Sequence, residues 1–157
     1  MSGDSGEIPA DRLDEQRGVG SDAGHQAALA EQRHRVEALA VACSIDEQRL
    51  ILDLRDHEIH VTSVWDFIAF GGAPPKAVPI LVAHLSLDHH DRIWEGIVRA
   101  LAVKHARSAA FDVLRELYRQ DERRHRRTAL AHAIGAMARF DEVEDLPEIE
   151  TYRSSFR

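Results

Sequence analysis

Lysine is almost missing from this 157-residue chain: Lys76 and Lys104 are two of its 20 basic residues, and the rest are arginine. Cysteine is scarcer still. Cys43 stands alone, so neither an internal disulfide nor a Cys-rich metal site can form. No apolar run approaches the roughly 20 residues of a membrane span, and the first residues lack the apolar core of a secretory signal. These absences exclude a membrane protein, a disulfide scaffold and a zinc finger. They leave the expectation of a cytoplasmic globular domain, large enough to fold on one apolar core.

The formal charge of -7 is unevenly placed. Residues 1–24 and 141–157 each hold six acidic and two basic side chains, whereas residues 25–140 sum to +1 and contain all ten histidines. Residues 1–24 also carry five of the nine glycines and show no periodicity, the composition of a disordered acidic arm. The expected organisation is that arm, a helical domain over 25–140, and an acidic capping segment or tail over 141–157, where Leu146, Ile149, Tyr152 and Phe156 suggest a short closing helix.

Within 25–140 the apolar period is helical throughout. Leu29, Val36, Leu39, Ala40 and Cys43 form one inward stripe, ending near Ser44. Ser44-Ile45-Asp46-Glu47 and Ser63-Val64-Trp65-Asp66 both read as capping boxes, each opening a new helix. Gly71-Gly72-Ala73-Pro74-Pro75 forces a break, and Pro75 and Pro79 lie in or near a first turn, where a missing amide costs little. Asp88 is expected to cap a helix over 89–104 with Ile93, Gly96, Ile97, Ala100 and Leu101 inward. Further helices are expected over 108–119 and 122–140. Alternation of period two is absent, so the fold class is all-α.

Two stretches repeat. Gly96-Ile97-Val98-Arg99-Ala100-Leu101-Ala102 aligns with Ala129-Leu130-Ala131-His132-Ala133-Ile134-Gly135 at an offset of 33, and the preceding helices align at 32. A third, weaker copy places Asp66 in register with Arg99. A helical-hairpin period in the low thirties means stacked units that cannot bury their apolar faces alone. With Asp88, Ile93 and the Arg99-Ala100-Leu101 run in place, the segment 85–102 resembles the HEAT repeat, particularly the short bacterial type also found in phycobilisome-lyase-like proteins. The second copy keeps Asp121 and Ala133-Ile134-Gly135 but carries His132 where the family often has Arg. The resemblance spans 76–139, is faint over 44–72, and implies a short right-handed α-solenoid of about three hairpins that binds proteins.

Chemistry is sparse. His84, Asp88, His89 and His90 are metal-ligand types at close spacing, but a capping Asp88 and the adjacency of His89 to His90 direct the side chains apart, so no metal site is expected. Some HEAT-like enzymes hold iron through repeated His-Glu pairs; His57-Glu58 is the one such dipeptide here. Neither a nucleophile–base pattern nor a phosphate loop occurs, so no enzyme activity or cofactor is expected. The Arg-rich stretch 104–127, with Arg119, Arg123, Arg124, Arg126 and Arg127, offers a phosphate-backbone alternative, as in one HEAT-like group of DNA glycosylases. Flanking acidic tails and a lack of interleaved aromatics argue against nucleic acid.

The favoured binding surface is a polar row. Asp66, Arg99 and His132 occupy equivalent positions on successive second helices, flanked by Arg92, Glu95, His125 and Thr128. A solenoid would line its concave face with them. The expected function is a non-enzymatic adaptor or scaffold with a protein partner; the alternative within the same class is an immunity-type inhibitor of a secreted toxin, whose encounter the acidic tails would speed.

Overall fold

The computed structural model describes residues 12–139, with side chains from Asp22 onward. Among these residues there are six α-helices and no strand: α1 (Arg12–Asp56), α2 (Trp65–Ala69), α3 (Val78–His84), α4 (Asp91–Ala100), a 3-10 turn (Lys104–Ala106), α5 (Arg107–Gln120) and α6 (Arg124–Met137). Contacts divide the chain after Val41 into two units. The expected closing helix around Leu146 to Phe156 lies outside the described residues.

In the first unit α1 is the sole described element. It begins at Arg12, inside the segment expected to be an arm. Every residue from Asp22 to Ala42 is exposed. The stripe expected to face inward is therefore uncovered, with Leu29 39% exposed, Val36 60% and Leu39 45%; Cys43 alone of that set is buried. Apolar spacing at helical period was read correctly as helix, but the unit has no second described element to cover it.

The expected break at Ser44 does not occur, and α1 runs to Asp56. A capping box needs its acid to turn back onto the helix start. Here Glu47 reaches across instead: its Oε1 accepts from the Ser63 hydroxyl at 2.8 Å and from the Val64 amide at 2.6 Å. From Ala42 onward α1 belongs to the second unit and buries Cys43, Leu50 and Leu54. The box at Ser63 does form. The Ser63 hydroxyl accepts from the Trp65 amide (3.3 Å) and Asp66 Oδ2 accepts from the Ser63 amide (3.0 Å).

The Gly-rich break is as sharp as its composition suggests. Gly71 and Gly72 have φ of 87° and 120°, and a Cβ on Gly72 would lie 2.1 Å from Val103 Cγ1. The chain then returns to α4, with the Ala73 amide donating to the Ala100 carbonyl at 2.8 Å and His105 Nε2 donating to the Ala73 carbonyl at 2.7 Å. Those bonds help end α4 at Ala100, short of the expected residue 104. Its cap is also different: His90 Nδ1, not the exposed Asp88, accepts from the Arg92 amide.

Within the second unit α4 packs between α2 and α6, while α5 packs on both α3 and α6. Leu81, Ile93, Ile97, Leu101, Leu114, Leu130 and Ile134 are fully buried among them. Burying side chains of this size contributes roughly 1.5–3 kcal/mol each before ordering entropy is subtracted. Gly96 allows α4 to approach α2 closely, since a Cβ there would stand 2.5 Å from Val64 Cγ1 and 3.2 Å from the Trp65 ring.

Candidate functional site

Of the expected polar row, α4 supplies Arg92, Glu95 and Arg99. Arg99 Nε donates to Glu95 Oε1 at 2.8 Å, an i,i+4 pair at the exposed surface. Arg92 lies over the Trp65 ring, 5.5 Å from its centroid, a cation–π contact between α4 and α2. On the other side α6 brings His132 into the field of Arg99: burial first, then that positive charge, holds the imidazole below its usual range and favours the neutral ring. Arg92, Glu95, Arg99, Trp65 and His132 are thus linked across three helices.

Of the other row residues, Asp66 and Thr128 are engaged locally and His125 reaches across to the start of α4. Asp66 Oδ2 accepts from the Thr62 amide (2.8 Å), the Thr62 hydroxyl (2.9 Å) and the Ser63 amide, and these bonds hold its carboxyl below the ordinary range. Its carboxylate serves the start of α2. The Thr128 hydroxyl donates to the Arg124 carbonyl, and His125 Nε2 meets Asp91 Oδ2 at 3.1 Å.

The Arg-rich stretch forms a cross-link between the starts of α4 and α6. Arg126 Nε donates to Asp91 Oδ1 at 2.7 Å, and its guanidinium lies 4.3 Å from the Trp94 ring centroid. Arg123 reaches both Asp91 (3.3 Å) and Asp121 (3.1 Å). The Arg126 bond holds the Asp91 carboxyl below its usual range against a weaker opposing effect of burial. For Asp121 burial works toward the neutral acid, but hydrogen bonds from Arg123 outweigh it and the net shift is also downward. Arg127 donates to the Tyr118 carbonyl at 3.0 Å and stacks on that ring at 4.1 Å, while Arg119 pairs with Glu116. Trp94 and Tyr118 therefore supply the aromatic partners that the linear sequence does not interleave; they come from neighbouring helices.

Sequence reasoning missed the most deeply placed polar cluster. His84 at the end of α3 and His89 in the following turn do not diverge. Both are buried, their rings are nearly coplanar (20°), and His84 Nδ1 meets His89 Nε2 at 2.9 Å. Each outer nitrogen meets a carboxylate of α1: His84 Nε2 to Asp53 Oδ2 at 2.8 Å, and His89 Nδ1 to Asp46 Oδ1 at 3.0 Å. Asp46 Oδ2 also accepts from the His90 amide at 2.8 Å. The available signal was Asp46 and Asp53 flanking Leu50 on the buried stripe of α1, where an acid requires a partner. Among the described residues no group of three or more His, Cys, Asp or Glu is placed to hold a metal.

No protein-family model matches this chain, and neither a curated protein nor a solved structure does. Among the described residues no helix is long and apolar enough to cross a membrane.

Proposed function

We propose that the chain is a non-enzymatic, HEAT-like protein-binding module, an adaptor or scaffold whose partner docks on the face shared by α2, α4 and α6. The observation that carries this reading is the Arg92–Trp65 contact, the Glu95–Arg99 pair and His132 in the field of Arg99, brought together from α2, α4 and α6. The 33-residue repeat and the packing of α4 between α2 and α6 support a short solenoid with that face as its concave side. An Arg over an aromatic ring is a common core of protein interfaces, and packed helices hold it with little entropy left to lose on association. The phosphate-backbone alternative is less favoured, because carboxylates and backbone carbonyls engage Arg123, Arg126 and Arg127.

The test is a nuclease-treated pull-down with the full chain, comparing wild type with Arg92→Ala/Arg99→Ala. Asp66 is left intact because its loss would uncap α2. The reading expects a protein recovered with wild type and reduced about tenfold or more with the variant, at unchanged melting temperature. Equal recovery by both proteins, or recovery abolished by nuclease, overturns it.

A further inference from the structure

The Asp53–His84–His89–Asp46 chain has more hydrogen bonds than two neutral imidazoles can supply. Three bonds run in series, of 2.8, 2.9 and 3.0 Å, and each needs one proton. A carboxylate only accepts, so His84 Nε2–H must donate outward to Asp53 and His89 Nδ1–H outward to Asp46. That uses the one ring proton of each neutral imidazole. The inner pair, His84 Nδ1 and His89 Nε2, would then be two lone pairs facing each other at 2.9 Å. Reversing either ring repairs the centre but aims a lone pair at a carboxylate oxygen. All three bonds form together only when the cluster takes up a third proton, shared between the rings.

We propose that this buried His84–His89 pair is a proton-operated latch, fastening the C-terminal part of α1 to the turn between α3 and α4 when loaded and loosening it when the proton leaves. Both rings are closed off from solvent while the Asp53 carboxylate is 47% exposed and Asp46 24%, so the inner ring-to-ring bond is the one that water cannot replace. With its proton the cluster carries a net charge of -1, two carboxylates against one shared imidazolium. Without it the charge is -2, and two ring lone pairs face each other in the buried centre.

The groups around the pair are consistent with that charge balance. From α1 come Asp46 and Asp53, with His57 Nδ1 on the Asp53 carbonyl at 2.9 Å. The turn contributes the exposed Asp88 and His90, whose Nδ1 is already occupied by the Arg92 amide and by Cys43 Sγ at 3.4 Å. Beyond His89, an open cleft is lined by Asp121, Glu122, Arg123 and Arg126, where Asp121 engages both arginines. Among the described residues no cation bonds to either buried imidazole.

The sign follows from linkage. The third bond exists only while the shared proton is bound, so the latch's contribution is lost, and stability falls, as rising pH removes that proton. Asp53→Asn separates this latch from every other histidine. An amide N–H donates to His84 Nε2, His84 Nδ1–H then donates to His89, and His89 Nδ1–H donates to Asp46. Three bonds are satisfied by two neutral rings.

The experiment is urea unfolding of the full chain from pH 5.5 to 8.5, wild type against Asp53→Asn, with Asp46→Asn as the mirror variant should the first not fold. The expected result is a wild-type folding constant that falls with rising pH within this interval relative to the amide variant, by up to about tenfold per pH unit. Parallel pH profiles overturn the latch. A long-range proton–nitrogen spectrum of the wild-type chain at pH 5.5 gives the independent readout: three ring N–H groups across His84 and His89 support the shared proton, and two overturn it.

Discussion

At one joint of the second unit, Asp46 and Asp53 of α1 are met by imidazoles; at another, Asp91 and Asp121 at the starts of α4 and α6 are met by guanidiniums. Both joints use a pair of carboxylates to hold a turn in place. They differ in burial and in who owns the protons. The carboxylates are alike, Asp53 at 47% exposed and Asp91 at 44%, but the His84 and His89 side chains are 2% exposed where Arg123 is 51% and Arg126 12%. A guanidinium carries its donors at every working pH, so the Asp91 joint is always supplied. The imidazole pair is one donor short until it takes up a proton. The same mechanical task is thus performed by a weak, constant tie and by a strong, conditional one.

Breaking the buried tie has the largest expected effect. His84→Ala removes the partner of His89 Nε2 and of the Asp53 carboxylate and opens a cavity at a fully buried position, and should lower unfolding free energy by about 3 kcal/mol in urea titrations at pH 6. A loss below about 1 kcal/mol would mean the cluster is wet and the burial reading wrong.

Gly96→Ala tests the contact between α2 and α4, where the next repeat already carries Ala129. The new Cβ meets Val64 Cγ1 at 2.5 Å, and overpacking outweighs the helix-propensity gain of about 1 kcal/mol. We expect a net loss of about 1–2 kcal/mol, read as a lower urea midpoint. A stabilised variant would show that α2 yields at no cost.

The exposed tie should matter least. Asp91→Asn removes the charge that pairs with Arg126 and Arg123, and solvent screening limits the loss to about 1 kcal/mol or less. Because the Asp91 carboxyl sits below its usual range, its contribution is fully present above the ordinary carboxylate range of about 3.9 and disappears as pH falls through the lowered value. Measured with His125→Gln in both proteins, which removes the imidazole on Asp91, the difference between wild type and variant should stay constant from pH 5 to 8.5 and close below about pH 4. A difference that already varies at neutral pH would erase the contrast between the two joints.

How much of this was legible depends on the range over which each feature is decided. The bounds of α5 and α6 follow their apolar period within a few residues, and the Ser63 box formed as spaced, because each is settled within one or two turns of chain. The Ser44 box had equally good local credentials and failed, since Glu47 found the amide of Val64, 17 residues away. Asp88 lost its capping role to His90 in the same manner, once Asp46 of α1 took the His90 amide. In the polar row, spacing placed Arg99 and His132 near each other but did not show that Asp66 would turn back onto its own helix start.

The sequence by itself determined the all-helical class, the break at Gly71-Gly72, the repeat that makes α4 and α6 equivalents, and the apolar stripes. Each is a matter of local backbone preference or of period along one helix. Only the tertiary structure decided which carboxylate meets which base. Asp46 and His89 lie 43 residues apart, and Asp91 and Arg126 lie 35 apart. Period reveals which face of a helix is apolar, but a buried acid is satisfied by whatever the opposite helix presents, and that is set by packing.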